Sequence, residues 1–166
     1  LGDVYKRQDE ECYDLWSCNN LYWYLTHACS PVTDGLMPYR EADLLRNILD
    51  RADAALKEGK NQATLRFGHE SCLLPLVALL ELNHYGESYP DVEKLSEQWR
   101  AYDIFPMASN VQFVFFHKKG SNDVLVKVLL NEKEAKLPVK TDVAPYYHWK
   151  DVESYYREKL DKYQHI

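Results

Sequence analysis

Leu73, Leu74, Leu76, Val77, Leu79 and Leu80 make the stretch from Cys72 to Leu82 almost wholly apolar. A helix that is apolar nearly all round has no side to turn to water, so the fold must lay other elements over it. Pro75 has no N–H and is best tolerated in a helix's first turn, which predicts a start near residues 71–74 and leaves His69 and Glu70 in the loop ahead. Asn83-His84-Tyr85-Gly86 ends the helix, and Gln62 to Phe67, just upstream, reads as a short buried strand.

The covering elements are legible on both sides. Glu10 to Cys29 reads as an aromatic-rich helix, with Tyr13, Trp16, Asn20, Trp23, Tyr24 and His27 at three- and four-residue steps. After the turn cluster Ser30 to Gly35, Met37-Pro38-Tyr39 leads into a helix from Glu41 to Lys57. Its Leu44, Leu45, Ile48, Leu49, Ala52 and Leu56 form one stripe, and Gly59 stops it. Asp91 to Arg100 fits a short polar helix or a loop. Val111 to His117 and Val124 to Leu130 are strand patterns about a Gly120-Ser121-Asn122-Asp123 turn. Asn131 to Lys136 reads as a polar turn, Leu137 to Lys140 as a third strand and Asp142 to Tyr147 as loop. Trp149 to Tyr163 is an amphipathic helix with Val152, Tyr155, Tyr156 and Leu160 on its apolar side. The fold class expected is α/β, a sheet flanked by helices, with Tyr13–Lys57 contributing a helical cap portion and a β-hairpin plus helix closing the chain.

Composition narrows the function classes. At 46% hydrophobic and 13% aromatic over 166 residues, the chain supports one ordinary core and is not a disordered segment. A net charge of −6 without a Lys/Arg cluster argues against a nucleic-acid surface. No run of about 18 apolar residues offers a membrane-spanning helix. Cys12, Cys18, Cys29 and Cys72 show no C-x-x-C or metal-ligand spacing; Cys72 is expected as a small buried hydrophobe, and the other three leave room for one disulfide. Leu1 to Gln8 is not Met-initiated, has no apolar signal core, and reads as translated adapter sequence or a polar lead-in, so the folded domain is expected over residues 9–166.

The chemistry concentrates at Leu65-Arg66-Phe67-Gly68-His69-Glu70-Ser71. The free amides at a helix N-terminus, on the positive end of its dipole, attract an oxyanion. His69 and Arg66 would add charge-assisted hydrogen bonds to phosphate oxygens, and Glu70 could protonate a departing alkoxide. The alternatives are a structural ion pair for His69 and Glu70, and a core carboxylate partner for Arg66. His27, His84, His117, His148 and His165 lack metal-type spacing and read as surface or capping residues; Arg40 and Lys150 are weaker phosphate-ligand candidates.

This stretch, with Leu73-Leu74-Pro75-Leu76, resembles the second signature of the histidine acid phosphatases, in the multiple inositol polyphosphate phosphatase (phytase-like) branch. The likeness continues through Met37-Pro38-Tyr39, Phe105-Pro106-Met107-Ala108-Ser109-Asn110, Val124-Leu125-Val126-Lys127 and Pro145-Tyr146-Tyr147-His148-Trp149-Lys150-Asp151. The resemblance implies a metal-independent phosphomonoesterase without cofactor, acting on small-molecule substrates such as inositol phosphates through a phosphohistidine. It implies His69 as the second, phosphate-binding histidine and Glu70 as the proton donor, and it points to a secreted, periplasmic or outer-surface location.

Two departures stand beside it. Members with His-Ala-Glu carry the acid one residue later, where this chain has Ser71. The Arg-His-Gly-x-Arg-x-Pro motif of the nucleophile does not occur in the 166 residues. The expectation is therefore the C-terminal portion of a longer phosphatase, inactive alone, with an unpaired edge at Ala63–Phe67 and an uncovered apolar helix. The rivals are a broad-specificity acid or sugar-phosphate phosphatase, a non-catalytic anion-binding module and a metallohydrolase.

Overall fold

A computed structural model describes residues 9–163; the readings for Leu1–Gln8 and His165 lie outside it. Helix α1 spans Asp9–His27, α2 Ala42–Glu58, α3 Glu70–Leu79, α4 Leu95–Gln98, α5 Ala101–Ile104 and α6 Trp149–Tyr163. Short 3-10 turns occupy Pro31–Thr33, Met37–Glu41 and Val92–Lys94, and strands β1 Val111–His117, β2 Val124–Leu130, β3 Lys133–Glu134 and β4 Tyr147–His148 complete the chain. The class is mixed α/β, helices with a four-stranded antiparallel sheet in which β2 pairs with β1, β3 and β4.

Helix α3 is the hub. Leu74 through Leu80 are buried, among α1, α5 and the Met37–Glu41 turn. The expectation of an uncovered apolar helix is corrected: only Glu70–Leu73, the first turn, reaches solvent. The helix also begins earlier than Pro75 alone implied. His69 takes extended backbone, its carbonyl accepts from Cys72 N and Leu73 N (3.0 and 3.1 Å), and Glu70 is already helical. Pro75 is then an interior residue, and its missing N–H costs one internal bond. Cys72 is exposed rather than buried, because it falls in that solvent-facing first turn.

Gly59 ends α2 with φ +65°, as the stripe required. Beyond it the expected buried strand does not form: residues 61–69 take no regular secondary structure, with Leu65 76% and Phe67 94% exposed. Among the described residues no strand lies alongside them, and strand preference without a partner does not make a strand. Leu137–Lys140 is likewise not a strand. Asn131 and Glu132, at φ +51° and +65°, instead make a two-residue hairpin turn that pairs Lys133 and Glu134 back onto β2. Tyr147, expected in a loop, opens β4.

Long-range polar ties set the packing. Buried Asn20 donates to Trp99 O (3.0 Å) and accepts from Ala101 N (2.8 Å), fixing α1 to the start of α5. Arg157 on α6 bridges Asp50 and Asp53 of α2 (2.9 and 2.8 Å) and Glu153 (2.7 Å).

Candidate functional site

His69 and Glu70 stand at the head of the buried helix. His69 is the N-cap residue of α3 (φ −107°, ψ 166°), and its side chain makes no capping bond. The leading amides of α3 are therefore not taken up by the cap side chain, and they lie at the positive end of the dipole. Glu70 is the first helical residue and the acidic group of the first turn, a position that by itself stabilises a helix. Gly68 has open space around the place a Cβ would occupy, so the backbone leading into the site is accessible.

Arg66, His69 and Glu70 are all exposed. Arg66 donates to Asn47 Oδ1 on α2 (2.8 Å), so its partner is an exposed amide and not a core carboxylate. The fold sets the three residues along one short solvent-facing segment without hydrogen-bonding His69 to Glu70, and the structural ion pair weighed from sequence is not formed.

One neighbour was not singled out from sequence. Glu41, closing the Met37–Glu41 turn that packs on α3, is half-buried and touches the Cys72 thiol. Burial raises its carboxyl above the ordinary carboxylate range, against the opposing pulls of Arg40 and of that thiol bond. The signal available was only the helix lead-in Pro38-Tyr39-Arg40-Glu41; nothing in it announces proximity to residue 72.

At its far end α3 is held by α6. Tyr156 Oη donates to Leu80 O (2.7 Å), Lys159 Nζ donates to Leu79 O (2.7 Å), and Lys159 pairs with Glu81 (3.2 Å), which also accepts from Tyr155 Oη (2.5 Å). Cys29 lies near this cluster, and burial pushes its thiol up to about 11, so it is no nucleophile at neutral pH. All four cysteines are free thiols, so the disulfide for which the sequence left room is not formed.

Two surface depressions, of about 630 and 520 Å³, lie elsewhere: one along α6, the other between Asn61 and the β1–β2 hairpin. Among the described residues no three His, Cys, Asp or Glu side chains gather as a metal site, and no helix is long and apolar enough to cross a membrane.

A family model described as histidine phosphatase superfamily (branch 2) matches residues 36–131, more than half of the chain and including the whole of α3. The multiple inositol polyphosphate phosphatase 1 of Homo sapiens is 28% identical over 134 residues, 73% of this chain and 27% of that protein. Its Gallus gallus counterpart is 27% identical over 135 residues, 70% of this chain and 28% of that one. Among solved structures, the Bifidobacterium longum multiple inositol polyphosphate phosphatase in complex with inositol hexasulfate superposes with a TM-score of 0.60 at 28% identity, over 69% of this chain and 25% of that one. The apo form of the Bifidobacterium longum enzyme gives a TM-score of 0.71 at 24% identity, over 84% and 30%, a likeness of fold. The chain spans about a quarter of the length of the curated relatives it matches.

Proposed function

This chain belongs to the histidine phosphatase superfamily, branch 2, and we propose that residues 9–166 are the C-terminal portion of a phosphatase domain that hydrolyses inositol polyphosphates in its full-length protein. The observation that carries the reading is the placement of His69 as the cap and Glu70 as the first residue of α3, with the cap side chain unengaged. That end of a helix receives an anion, and the two side chains beside it are an imidazole and a carboxyl.

In this reading a histidine from an Arg-His-Gly-x-Arg-x-Pro segment outside these 166 residues attacks phosphorus and forms a phosphohistidine. The bond between phosphorus and the inositol ester oxygen breaks, and Glu70, carrying a proton, delivers it to the departing alkoxide oxygen. His69 and the first amides of α3 hold the transferring phosphoryl oxygens, where negative charge gathers, and Arg66 adds a further cation. Water then attacks the phosphohistidine, Glu70 takes up its proton, and inorganic phosphate leaves. The chemistry needs no metal ion.

Inositol polyphosphate as substrate is supported by the names of the relatives and by the inositol hexasulfate bound to one of them. The body charge of −6 favours a second substrate reading, a less anionic sugar phosphate, unless basic groups from the rest of the protein line the pocket.

The test has two arms. The purified 166-residue chain, offered inositol hexakisphosphate and p-nitrophenyl phosphate, is expected to show no turnover. Turnover abolished by His69→Ala would overturn the dependence on an outside nucleophile. In the full-length protein His69→Ala is expected to abolish hydrolysis of both substrates; full activity in that variant would refute the assignment of His69.

A further inference from the structure

His148 lies between two carboxylates. β4 pairs with β2 so that His148 sits opposite Leu125, next to the β1–β2 hairpin turn. Its Nδ1 lies 2.9 Å from Asp123 Oδ2 and its Nε2 lies 3.0 Å from Asp142 Oδ1. Ionised carboxylates only accept hydrogen bonds, so both ring nitrogens must donate, and only the imidazolium has two N–H groups. After loss of one proton, a nitrogen lone pair would face a carboxylate, and that contact has to open.

The two contacts differ in what holds the acid. Asp123 is anchored at the hairpin turn: its N–H donates to Ser121 Oγ (3.0 Å), and β2 begins at the next residue. Asp142 belongs to the irregular segment 141–146. That segment is braced internally by Thr141 Oγ1 to Tyr146 O (2.7 Å), Val143 N to Thr141 Oγ1 (3.2 Å) and Tyr146 N to Val143 O (3.0 Å). It leans on the hairpin through the Tyr146 ring, edge-on to Phe116 (5.2 Å) and beneath Lys127 (5.7 Å). Asp142 is the side that gives way.

We propose that His148 is a proton-operated clasp, which when charged fastens the 141–146 segment to the β1–β2 hairpin and when neutral releases it. The charges acting on the ring are Asp123 from the hairpin and Asp142 from the segment. Lys127 of β2 is engaged by Glu134 (3.2 Å) and by the Tyr146 ring, and His117 of β1 by Ser121 O (2.8 Å), so neither competes for His148. Asp123 also lines the 520 Å³ depression, as does Asn61, which precedes in sequence the segment carrying Arg66, His69 and Glu70.

The sign follows from linkage. Its hydrogen bonds to Asp123 and Asp142 raise the His148 value above 6.5. The fastening is complete below the unfolded value near 6.5 and is lost as pH rises through the higher folded value. Side-chain ¹⁵N spectra of the chain, titrated from about pH 5 to about pH 9, report the His148 midpoint, and hydrogen-exchange protection of the Val143 and Tyr146 amides reports the segment. A midpoint above 6.5 is expected, with protection at those two amides falling roughly two- to fivefold across it, the scale of an exposed ion pair, while the β1–β2 ladder stays protected. Asp142→Asn, an exposed change, should lower the midpoint and flatten the pH dependence of protection. A midpoint at or below 6.5 in the unaltered chain, or the same pH-dependent protection in Asp142→Asn, overturns the proposal.

Discussion

Replacing Tyr156 by Phe isolates the anchor at the far end of the helix that carries His69 and Glu70. Tyr156 is fully buried, and its hydroxyl is the α6 donor to Leu80 O at 2.7 Å. Phe keeps the ring and nearly all the volume, so no cavity contribution arises; what remains is a buried carbonyl without that donor. Such a group costs about 1–3 kcal/mol, which for a chain of this size lowers the melting temperature by roughly 2–12 °C. Burial holds the phenol's pKa well above its ordinary value, so the deficit should be flat across neutral pH. Urea unfolding followed by circular dichroism, with unchanged m, reads the loss directly. Tyr155→Phe is the control: its hydroxyl meets the half-exposed Glu81, water can replace it, and the loss should stay below about 1 kcal/mol. Equal stability of Tyr156→Phe and the unaltered chain would refute the claim that α6 holds α3 through the Leu80 carbonyl.

Other outcomes follow from the same packing. Asn20→Asp keeps the acceptor for Ala101 N but sets a second acceptor against Trp99 O, costing about 2–4 kcal/mol at neutral pH. A protonated carboxyl restores the donor, so the deficit should shrink as pH falls, read by thermal melts at stepped pH; a deficit independent of pH would count against the geometry. Gly86→Ala places a Cβ 2.8 Å from the Glu81 backbone and should cost about 1–3 kcal/mol in urea unfolding, where a neutral result would exclude so close an approach. Arg157→Met removes the cation shared by Asp50, Asp53 and Glu153 and should lower stability less at high salt than at low salt, the exposed part of the network being screened.

What the residues announced and what they hid divide along a physical line. The β1–β2 hairpin and α6 were legible because strand alternation about Gly120 and a helical stripe are local signals. The apolar run also demanded cover, and α3 has it. The failures are conditional on partners. Leu65 and Phe67 have strand character, but pairing requires a neighbour, and among the described residues none lies beside them. Pro75 suggested a later helix start, yet burial of residues 74–80 outweighs one missing hydrogen bond. The contacts that tie the molecule together, Asn20 with Trp99, Tyr156 with Leu80 and His148 with Asp123, join residues 79, 76 and 25 positions apart, and no local pattern reports them. The candidate site was legible as a string of residues, Arg66 to Glu70. Its Asn47 partner and the nearby Glu41 carboxyl come from other elements and were not.

The role proposed for Glu70, as the acid for a departing alkoxide, is tested most directly by Glu70→Gln in the full-length protein, assayed with inositol hexakisphosphate and with p-nitrophenyl phosphate. A fall of roughly 10²–10⁴ is expected in turnover of the inositol ester, with a far smaller change for the nitrophenyl ester, whose leaving group needs no proton. Undiminished hydrolysis of inositol hexakisphosphate would contradict that role.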